Sequence, residues 1–368
     1  MNGTKPKYKI PSMKEIEKTA KNGFKVVSTF SGGGGSCLGY RMAGYDVIWA
    51  NEFVEEAQKT YKANHKGTYL DTRDIREIQP EEILKQLSLS VGDIDLFDGS
   101  PPCCAFSTAG KREKGWNKKR NYSDGKAQRI EDLFEEYIRL VDGLKPKTFV
   151  AENVSGMVKG KAIGYFKYYL EKMKSCGYLV EARLLNAKWL GVPQSRERII
   201  FIGVRKDIAK KYNVKPCFPK PLSYYYTLSD AFEKLRNDKA EENRLSEEIK
   251  RYKIYGVLKK MPKNPTKSIS GQKYMNGSYF NLRRESMKAP CSTICQMNGQ
   301  KGTAGNCHPL EDRKFTIAEL KRITSLPNDF KLTGNYTQQW ERAGRMVPPI
   351  MMMHISKTIE EEILCRIK

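Results

Sequence analysis

Histidine is scarce: His65, His308 and His354 are the only three in 368 residues. None lies in a context resembling a cysteine-protease signature, which disfavours acyl transfer by a Cys-His pair. Long apolar runs are also missing. Nothing approaches the roughly 18 uninterrupted apolar residues of a membrane helix, and the nearest run, Ile350-Met351-Met352-Met353, is far too short. No apolar segment of the signal-peptide kind follows Met1. The nine cysteines are odd in number and form no CxxC pair, which argues against a disulfide framework and for a reducing, intracellular compartment. The spacing of Cys291, Cys295, Cys307 and His308 suits tetrahedral zinc poorly, so no metal is expected. Acidic residues are outnumbered, 42 against 66 lysines and arginines, for a net charge of +24. Such a surplus is typical of polyanion-binding proteins and makes nucleic acid the first partner to test, the bland alternative being a proteome whose enzymes all run basic.

The chain is long enough for one large α/β domain and a smaller one. Its hydrophobic residues, 39% of the total, recur in periodic runs rather than in one block. Ser12-Met13-Lys14-Glu15 is a capping-box pattern that predicts a short surface helix. Phe24 to Phe30 reads as a strand, followed by Ser31-Gly32-Gly33-Gly34-Gly35-Ser36 and helix-compatible residues. Further strands are expected at Asp46 to Ala50, Ile94 to Phe97, Thr148 to Ala151, Tyr178 to Asn186 and Arg198 to Val204. Helices are expected at Val54 to Asn64, Ile130 to Gly143 and Ile163 to Lys174. This alternation implies an α/β fold with a mostly parallel sheet. From Arg205 to about Thr333 the rhythm stops: charged helical stretches such as Leu228 to Lys260 and a turn-rich segment, Pro262 to Ser278, suggest a second, inserted domain. Gln338 to Lys368 returns to helical periodicity, with Pro348-Pro349 as a start signal.

Two loops carry candidate chemistry. Consecutive glycines after a strand let backbone amides approach a ligand at a helix N-terminus. The G-x-G-x-x-G template starting at Gly32 fits at Gly34 but places its third glycine on Cys37, so a ligand without a pyrophosphate is preferred. Glu52, just past the second strand, is where an acid can accept from ribose hydroxyls; read separately, the two features are equally a plain turn and a surface acid. The second loop, Gly99-Ser100-Pro101-Pro102-Cys103-Cys104-Ala105-Phe106-Ser107, puts a cysteine behind two stiffening prolines. That suits a sulfur held at a defined attack geometry, with a buried structural cysteine pair as the alternative.

In order and spacing, Phe30-Ser31-Gly32-Gly33-Gly34-Gly35, Pro101-Pro102-Cys103, Glu152-Asn153-Val154 and Gln194-Ser195-Arg196-Glu197-Arg198 resemble the motifs of the DNA (cytosine-5) methyltransferase family, of bacterial or phage, restriction-modification type. The likeness extends to Asp312 to Arg322 and to Val347-Pro348-Pro349. It implies a Rossmann-like S-adenosylmethionine-dependent methyltransferase fold. A catalytic and cofactor-binding domain would span 1–204, with 336–368 returning to it, and a target-recognition domain 205–335. The implied reaction is covalent catalysis: the Cys103 sulfur adds to position 6 of a flipped-out cytosine and position 5 takes the methyl group. Glu152 would protonate or share a proton with N3, and Arg198 would contact O2. Arg196 joins the catalytic set, supporting the loop or the DNA backbone.

For the cofactor, S-adenosylmethionine, the resemblance implies contacts from Phe30, Ser31, Gly32, Gly34, Gly35, Glu52, Phe53, Asp74, Ile75, Pro101 and Val347. For double-stranded DNA, Ser107, Gln194, Lys273, Tyr274, Arg283 and Arg284 are the candidates. The implied protein is a cytoplasmic, nucleoid-associated monomer with no membrane partner, and a separately acting cognate restriction endonuclease is its candidate protein partner. Two departures stand out. Cys104 occupies the place of the family's usual glutamine, and Arg342-Ala343-Gly344-Arg345 replaces a segment that usually carries an asparagine. A tRNA-methylating branch of the family and a catalytically inactive DNA-binding module are the alternatives. The basic, aromatic insert favours DNA, and the intact Cys103, Glu152 and Arg198 favour catalysis.

Overall fold

The computed structural model describes residues 5–102, 120–121, 127–128, 132–275 and 281–368. The chain divides into two compact units, one made of Lys18–Leu185, Glu197–Lys220 and Met352–Lys368, the other of Met1–Glu17, Asn186–Arg196 and Pro221–Met351. This division differs from the boundaries expected from the sequence. The chain's first residues, a short stretch around Gln194 and the segment 336–351 group with the insert, while 205–220 and 352–368 group with the larger unit.

The larger unit is built on a seven-stranded sheet. Its strands are β1 (Lys25–Thr29), β2 (Asp46–Asn51), β3 (Tyr69–Asp71), β4 (Leu96–Gly99), β5 (Thr148–Val154), β6 (Tyr178–Asn186) and β7 (Glu197–Arg205), in the order β3-β2-β1-β4-β5-β7-β6. Pairs β1/β2, β2/β3, β1/β4 and β4/β5 are parallel, whereas β7 runs antiparallel to β5. In β1, Val26 through Thr29 are buried in succession, and β5 is buried from Thr148 to Asn153. A central parallel strand covered on both faces requires such runs. Helices α1 (Gly35–Met42), α2 (Glu55–Asn64), α3 (Pro80–Leu87), α4 (Leu133–Leu144) and α5 (Ile163–Ser175) intervene. Val27, Phe97, Phe149, Tyr137, Leu140, Val141 and Phe201 belong to one apolar core, in which the Phe97 and Tyr137 rings stack at 5.1 Å.

The chain travels from β1 outward to β3, then returns across β1 to β4. The β1/β4 boundary is therefore the point where strand order reverses, and the crevice at the carboxyl ends of these strands is where such sheets bind ligands. Both loops singled out in the sequence leave from this end of the sheet.

The other unit has little sheet. Its three-stranded piece pairs Arg283–Arg284 with Ile269–Ser270 and Asn306–Cys307, and Cys291–Ser292 runs parallel to Gln194–Ser195. The expected charged helical stretch resolves into three helices, Leu228–Phe232, Lys239–Lys250 and Lys253–Lys260. The short helix Met13–Glu17 begins where the capping box places it: the Ser12 amide donates to the Glu15 carboxylate at 2.7 Å, and the Glu15 amide donates to Ser12 Oγ at 3.2 Å. Ile249, Ile254, Val257, Leu258 and Leu282 form an apolar cluster. Beside it lies a buried ionic network in which Arg313 donates to Glu319 through two bonds of 2.8 Å and to Glu311 at 2.9 Å. Among the described residues, no helix is long and apolar enough to cross a membrane.

Candidate active site

The turn after β1 is shaped by three left-handed backbone positions, Phe30 (φ 52°), Gly32 (φ 57°) and Gly34 (φ 92°). The Ser31 amide donates to Asn51 O at 3.0 Å and the Gly34 amide to Ser31 O at 2.9 Å, which folds the turn back on itself. Gly34 leaves no room for a side chain: a Cβ there would stand 2.0 Å from His65 Nε2. The His65 ring is stacked on Tyr61 at 4.4 Å. Burial, aided by the Arg41 cation, pushes the His65 pKa down to about 3, so this ring is a neutral wedge under the turn.

Glu52 fastens the same turn to the end of β2. One carboxylate oxygen accepts from the Gly32 amide and the other from the Val54 amide, both at 2.7 Å. Next to it, Phe53 is half-buried against Val54 and Ala57. Beyond β3, Asp74 caps a short helical turn, Ile75–Glu77, by accepting from the Arg76 amide at 3.2 Å, and pairs with the Arg76 guanidinium at 3.1 Å. Ile75 is buried.

Beyond β4, Pro101 O accepts from Asn153 Nδ2 at 3.2 Å, which ties the proline segment to β5. Gly99 has Tyr137 and Thr29 so close that a Cβ would meet them at 2.5 and 2.7 Å. On β5, Glu152 is buried and paired with Arg198 Nε of β7 at 2.6 Å. The register sets Arg198 opposite Val154 and Ile200 opposite Glu152. Arg198 and Glu152 therefore share a face as diagonal neighbours, within reach of long side chains. A glycine turn, a ribose-type acid, an aromatic face, a second acid and a buried carboxylate-guanidinium pair thus stand at the carboxyl ends of β1, β2, β3 and β5. This donor set fits an adenosine-bearing ligand: glycines let the backbone of the turn approach a ligand closely, and Glu52 stands at the end of β2, where an acid meets ribose hydroxyls.

The family model for C-5 cytosine-specific DNA methylases matches residues 24–361. The chain belongs to that family. It is 30% identical over 359 residues to the Type II methyltransferase M.Sau96I of Staphylococcus aureus, covering 96% of this chain and 79% of that protein. To M.FnuDI of Fusobacterium nucleatum it is 31% identical over 368 residues, covering 92% and 95%. Among solved structures, a prophage-encoded DNA modification methyltransferase from E. coli superposes with a TM-score of 0.69 at 21% identity, covering 93% of this chain and 99% of that one. Spodoptera frugiperda DNMT2 superposes at 0.64 and 17%, covering 94% and 99%. These two likenesses speak for the fold. The enzyme is a DNA cytosine-5 methyltransferase, and membership of the family implies S-adenosylmethionine as methyl donor.

Of the site residues expected from the sequence of this methylase, Phe30, Ser31, Gly32, Gly34, Gly35, Glu52, Phe53, Asp74, Ile75, Pro101, Glu152 and Arg198 all belong to the larger unit. Cys103, Cys104 and Ser107 lie outside the described residues. Arg196, Gln194, Val347, Lys273, Tyr274, Arg283 and Arg284 belong to the other unit.

Several of these need correction. Arg196 is buried, and its guanidinium donates to Gly344 O at 3.0 Å, Ile294 O at 3.3 Å and Arg345 O at 3.3 Å, so it clamps three backbone carbonyls, as support of a loop requires, and does not reach out to the DNA backbone. Gln194 is buried, donating to Ile323 O and accepting from the Ile294 amide. Arg284 is fully buried, donates to Leu258 O at 2.8 Å and to the carbonyls of His308 and Glu311, and pairs with Asp312. None of these three faces solvent where DNA could reach it. Lys273 is exposed, Arg283 half-buried, and Tyr274 packs on the apolar cluster. Among the described residues, no group of three His, Cys, Asp or Glu side chains could hold a metal ion.

Asp98, Ser28 and Asn153 were not singled out for a role. The Asp98 carboxyl is buried, accepting from Ser28 Oγ at 2.9 Å and Tyr40 OH at 3.0 Å. An acid inside the otherwise apolar Leu96-Phe97-Asp98-Gly99 is the one signal that could have pointed to it, because an unpaired acid is almost never fully buried.

Proposed function

We propose that this methyltransferase modifies one cytosine within a specific sequence of double-stranded DNA, using Cys103 as nucleophile and Glu152 and Arg198 to activate the base. The observation that carries the reading is the buried Glu152–Arg198 pair on adjacent strands, at the same sheet end as the glycine turn. Entry of an extruded cytosine between the two exchanges the ion pair for two contacts. Arg198 turns to O2, and Glu152, taking up a proton from solvent as the base enters, donates it at N3. The Cys103 thiolate then adds to C6, which makes C5 nucleophilic. S-adenosylmethionine, when bound, supplies the methyl group that C5 takes. Loss of the C5 proton expels the sulfur and restores the aromatic ring.

Glu52, the glycine turn, Phe53 and Asp74 are the residues that hold the adenosine and methionine parts of the donor. Asn153 holds Pro101, two positions before the sulfur. Lys273 and Arg283 remain the candidate DNA contacts among the described residues. The net charge of +24 supports a phosphate-tracking surface, whose binding weakens with salt. The Type II names of the relatives favour a role beside a separate restriction endonuclease, and the enzyme is read as a cytoplasmic monomer acting without metal.

Duplex DNA carrying 5-fluorocytosine, incubated with the protein and S-adenosylmethionine, is expected to yield an adduct through Cys103, because fluorine blocks the proton loss that releases the sulfur. An active enzyme that forms no adduct, or forms it through another residue, overturns the assignment. Labelled methyl transfer to tRNA but not to duplex DNA overturns the substrate. Single-molecule sequencing of DNA from cells expressing the protein reads out the modified base and its motif together.

A further inference from the structure

The carboxyl ends of β1 and β4 are joined by a chain of hydroxyls that ends on a buried acid. Ser31 Oγ donates inward, to Ser28 Oγ at 3.0 Å or to the Ser28 carbonyl at 3.3 Å, and Ser28 Oγ donates to Asp98 Oδ2 at 2.9 Å. The other Asp98 oxygen accepts from Tyr40 OH at 3.0 Å. All four side chains are buried. Ser31 lies in the turn that Glu52 fastens, between left-handed Phe30 and Gly32, and is buried at the crevice end of the sheet. A serine hydroxyl has one hydrogen, so in this arrangement Ser31 spends it inward on Ser28 and can only accept from a ligand.

We propose that Asp98 is a positioning residue for the methyl donor: acting through Ser28, its protonation state decides which way the Ser31 hydrogen points. With Asp98 ionised the chain runs Ser31 to Ser28 to Asp98. With Asp98 protonated, its own hydrogen goes to Ser28 Oγ, the Ser28 hydrogen goes to Ser31 Oγ, and the Ser31 hydrogen, left with the more distant Ser28 carbonyl as its inward acceptor, turns outward when a ligand offers a better one. No bond between heavy atoms changes; the only bond formed is the O–H of Asp98, whose proton comes from solvent.

The groups facing Asp98 make this titration reachable. Burial is the largest influence and raises its pKa from the usual 3.8 to about 7, Glu152 on β5 pushes the same way, and the Ser28 and Tyr40 hydroxyls oppose them. From α1, Cys37 and Tyr40 face it, and from α4, Tyr137; the thiol and both phenols have pKa values raised by burial and by the acid itself, so they stay neutral. His65, the ring under the turn, is held neutral and does not titrate in the same range.

The proposal rests on reading the turn as the S-adenosylmethionine site, and the test separates the two. Titration calorimetry of the full chain with S-adenosylhomocysteine, from pH 6 to pH 8, is expected to show affinity falling roughly three- to tenfold as pH rises, the worth of one ordinary hydrogen bond. Asp98→Asn and Ser28→Ala should each bind with little dependence on pH. Ser28→Ala keeps the acid while breaking the relay, so it decides the matter if Asp98→Asn fails to fold. Wild-type affinity that does not vary with pH, or a slope that survives Ser28→Ala, overturns the relay and leaves the cofactor site standing. A folded wild-type chain that binds no S-adenosylhomocysteine at any pH overturns the cofactor site and the relay with it.

Discussion

The two units solve the problem of an interior in opposite ways. The larger one buries Val27, Phe97, Phe149, Tyr137 and Phe201 in a single apolar core, and of its buried acids Glu52, Asp71, Asp98 and Glu152 lie toward the carboxyl ends of strands, while Asp95, before β4, pairs with Lys147. The smaller one buries Arg284, Arg313, Glu285 and Glu319 away from any such site. A buried ion costs several kcal/mol in lost hydration, which its partners must offset. Glu319 shows how this is done: it accepts from both terminal nitrogens of Arg313, from Asn237 Nδ2 at 2.8 Å and from the Thr316 amide at 2.8 Å. Buried charge in the larger unit therefore gathers mostly at the end of the sheet proposed to bind ligand, whereas in the smaller one it is spent on architecture.

That contrast can be broken or sharpened by substitution. The largest effect is expected from Glu152→Gln: labelled-methyl turnover on duplex DNA should fall on the order of 10²- to 10⁴-fold, as for loss of a general acid, with melting temperature little changed. In the smaller unit, Arg313→Leu should destabilise by about 3–5 kcal/mol in urea titration, because it strands Glu319 without a cation. Replacing Arg313 and Glu319 together with apolar residues should recover much of that loss; if it does not, the network does more than fill space. Phe97→Ala should cost a comparable ~3–5 kcal/mol in the larger unit, and no partner substitution should rescue it.

A smaller effect comes from pH. The folded chain holds on Asp98 a proton that the unfolded chain releases between its usual 3.8 and the raised value of about 7. Stability should therefore decline as pH rises from about 4 to 7 and level off above, by at most a few kcal/mol, and Asp98→Asn should flatten that part of the curve. Smallest is Lys273→Ala. DNA affinity should drop a few-fold at low salt and the salt slope fall by about 1, with no change in melting.

Legibility from sequence followed the same divide. Strands β1, β5 and β7 could be read because each holds a run of apolar or β-branched residues, Val26-Val27, Phe149-Val150-Ala151 and Ile199 to Val204, and the glycine turn because four glycines follow a strand. Strand β3, three residues long with Tyr69 exposed, carries too little pattern to announce itself, whereas helix α3 does carry start signals, Pro80 at its first position and a Gln79–Glu82 capping box, that the reading does not use. Arg284 was assigned to DNA because its neighbours are basic and aromatic. What buries it comes from Leu258, His308, Glu311 and Asp312, all at least 24 residues away, and no local pattern encodes them. Asp98 was passed over for the same reason: its partner Ser28 is 70 residues upstream. The carboxylate proposed to activate the base, Glu152, is legible only through its motif, since nothing in Glu152-Asn153-Val154 itself announces a guanidinium on the strand alongside.

Glu152 and Asn153 are consecutive on β5, so their side chains leave opposite faces of the sheet. One meets Arg198, the other holds the carbonyl of Pro101. A single peptide unit thus fixes the distance between the group proposed to meet the base and the stiff segment leading to Cys103. A one-residue slip of this strand would swap the two errands and disable both.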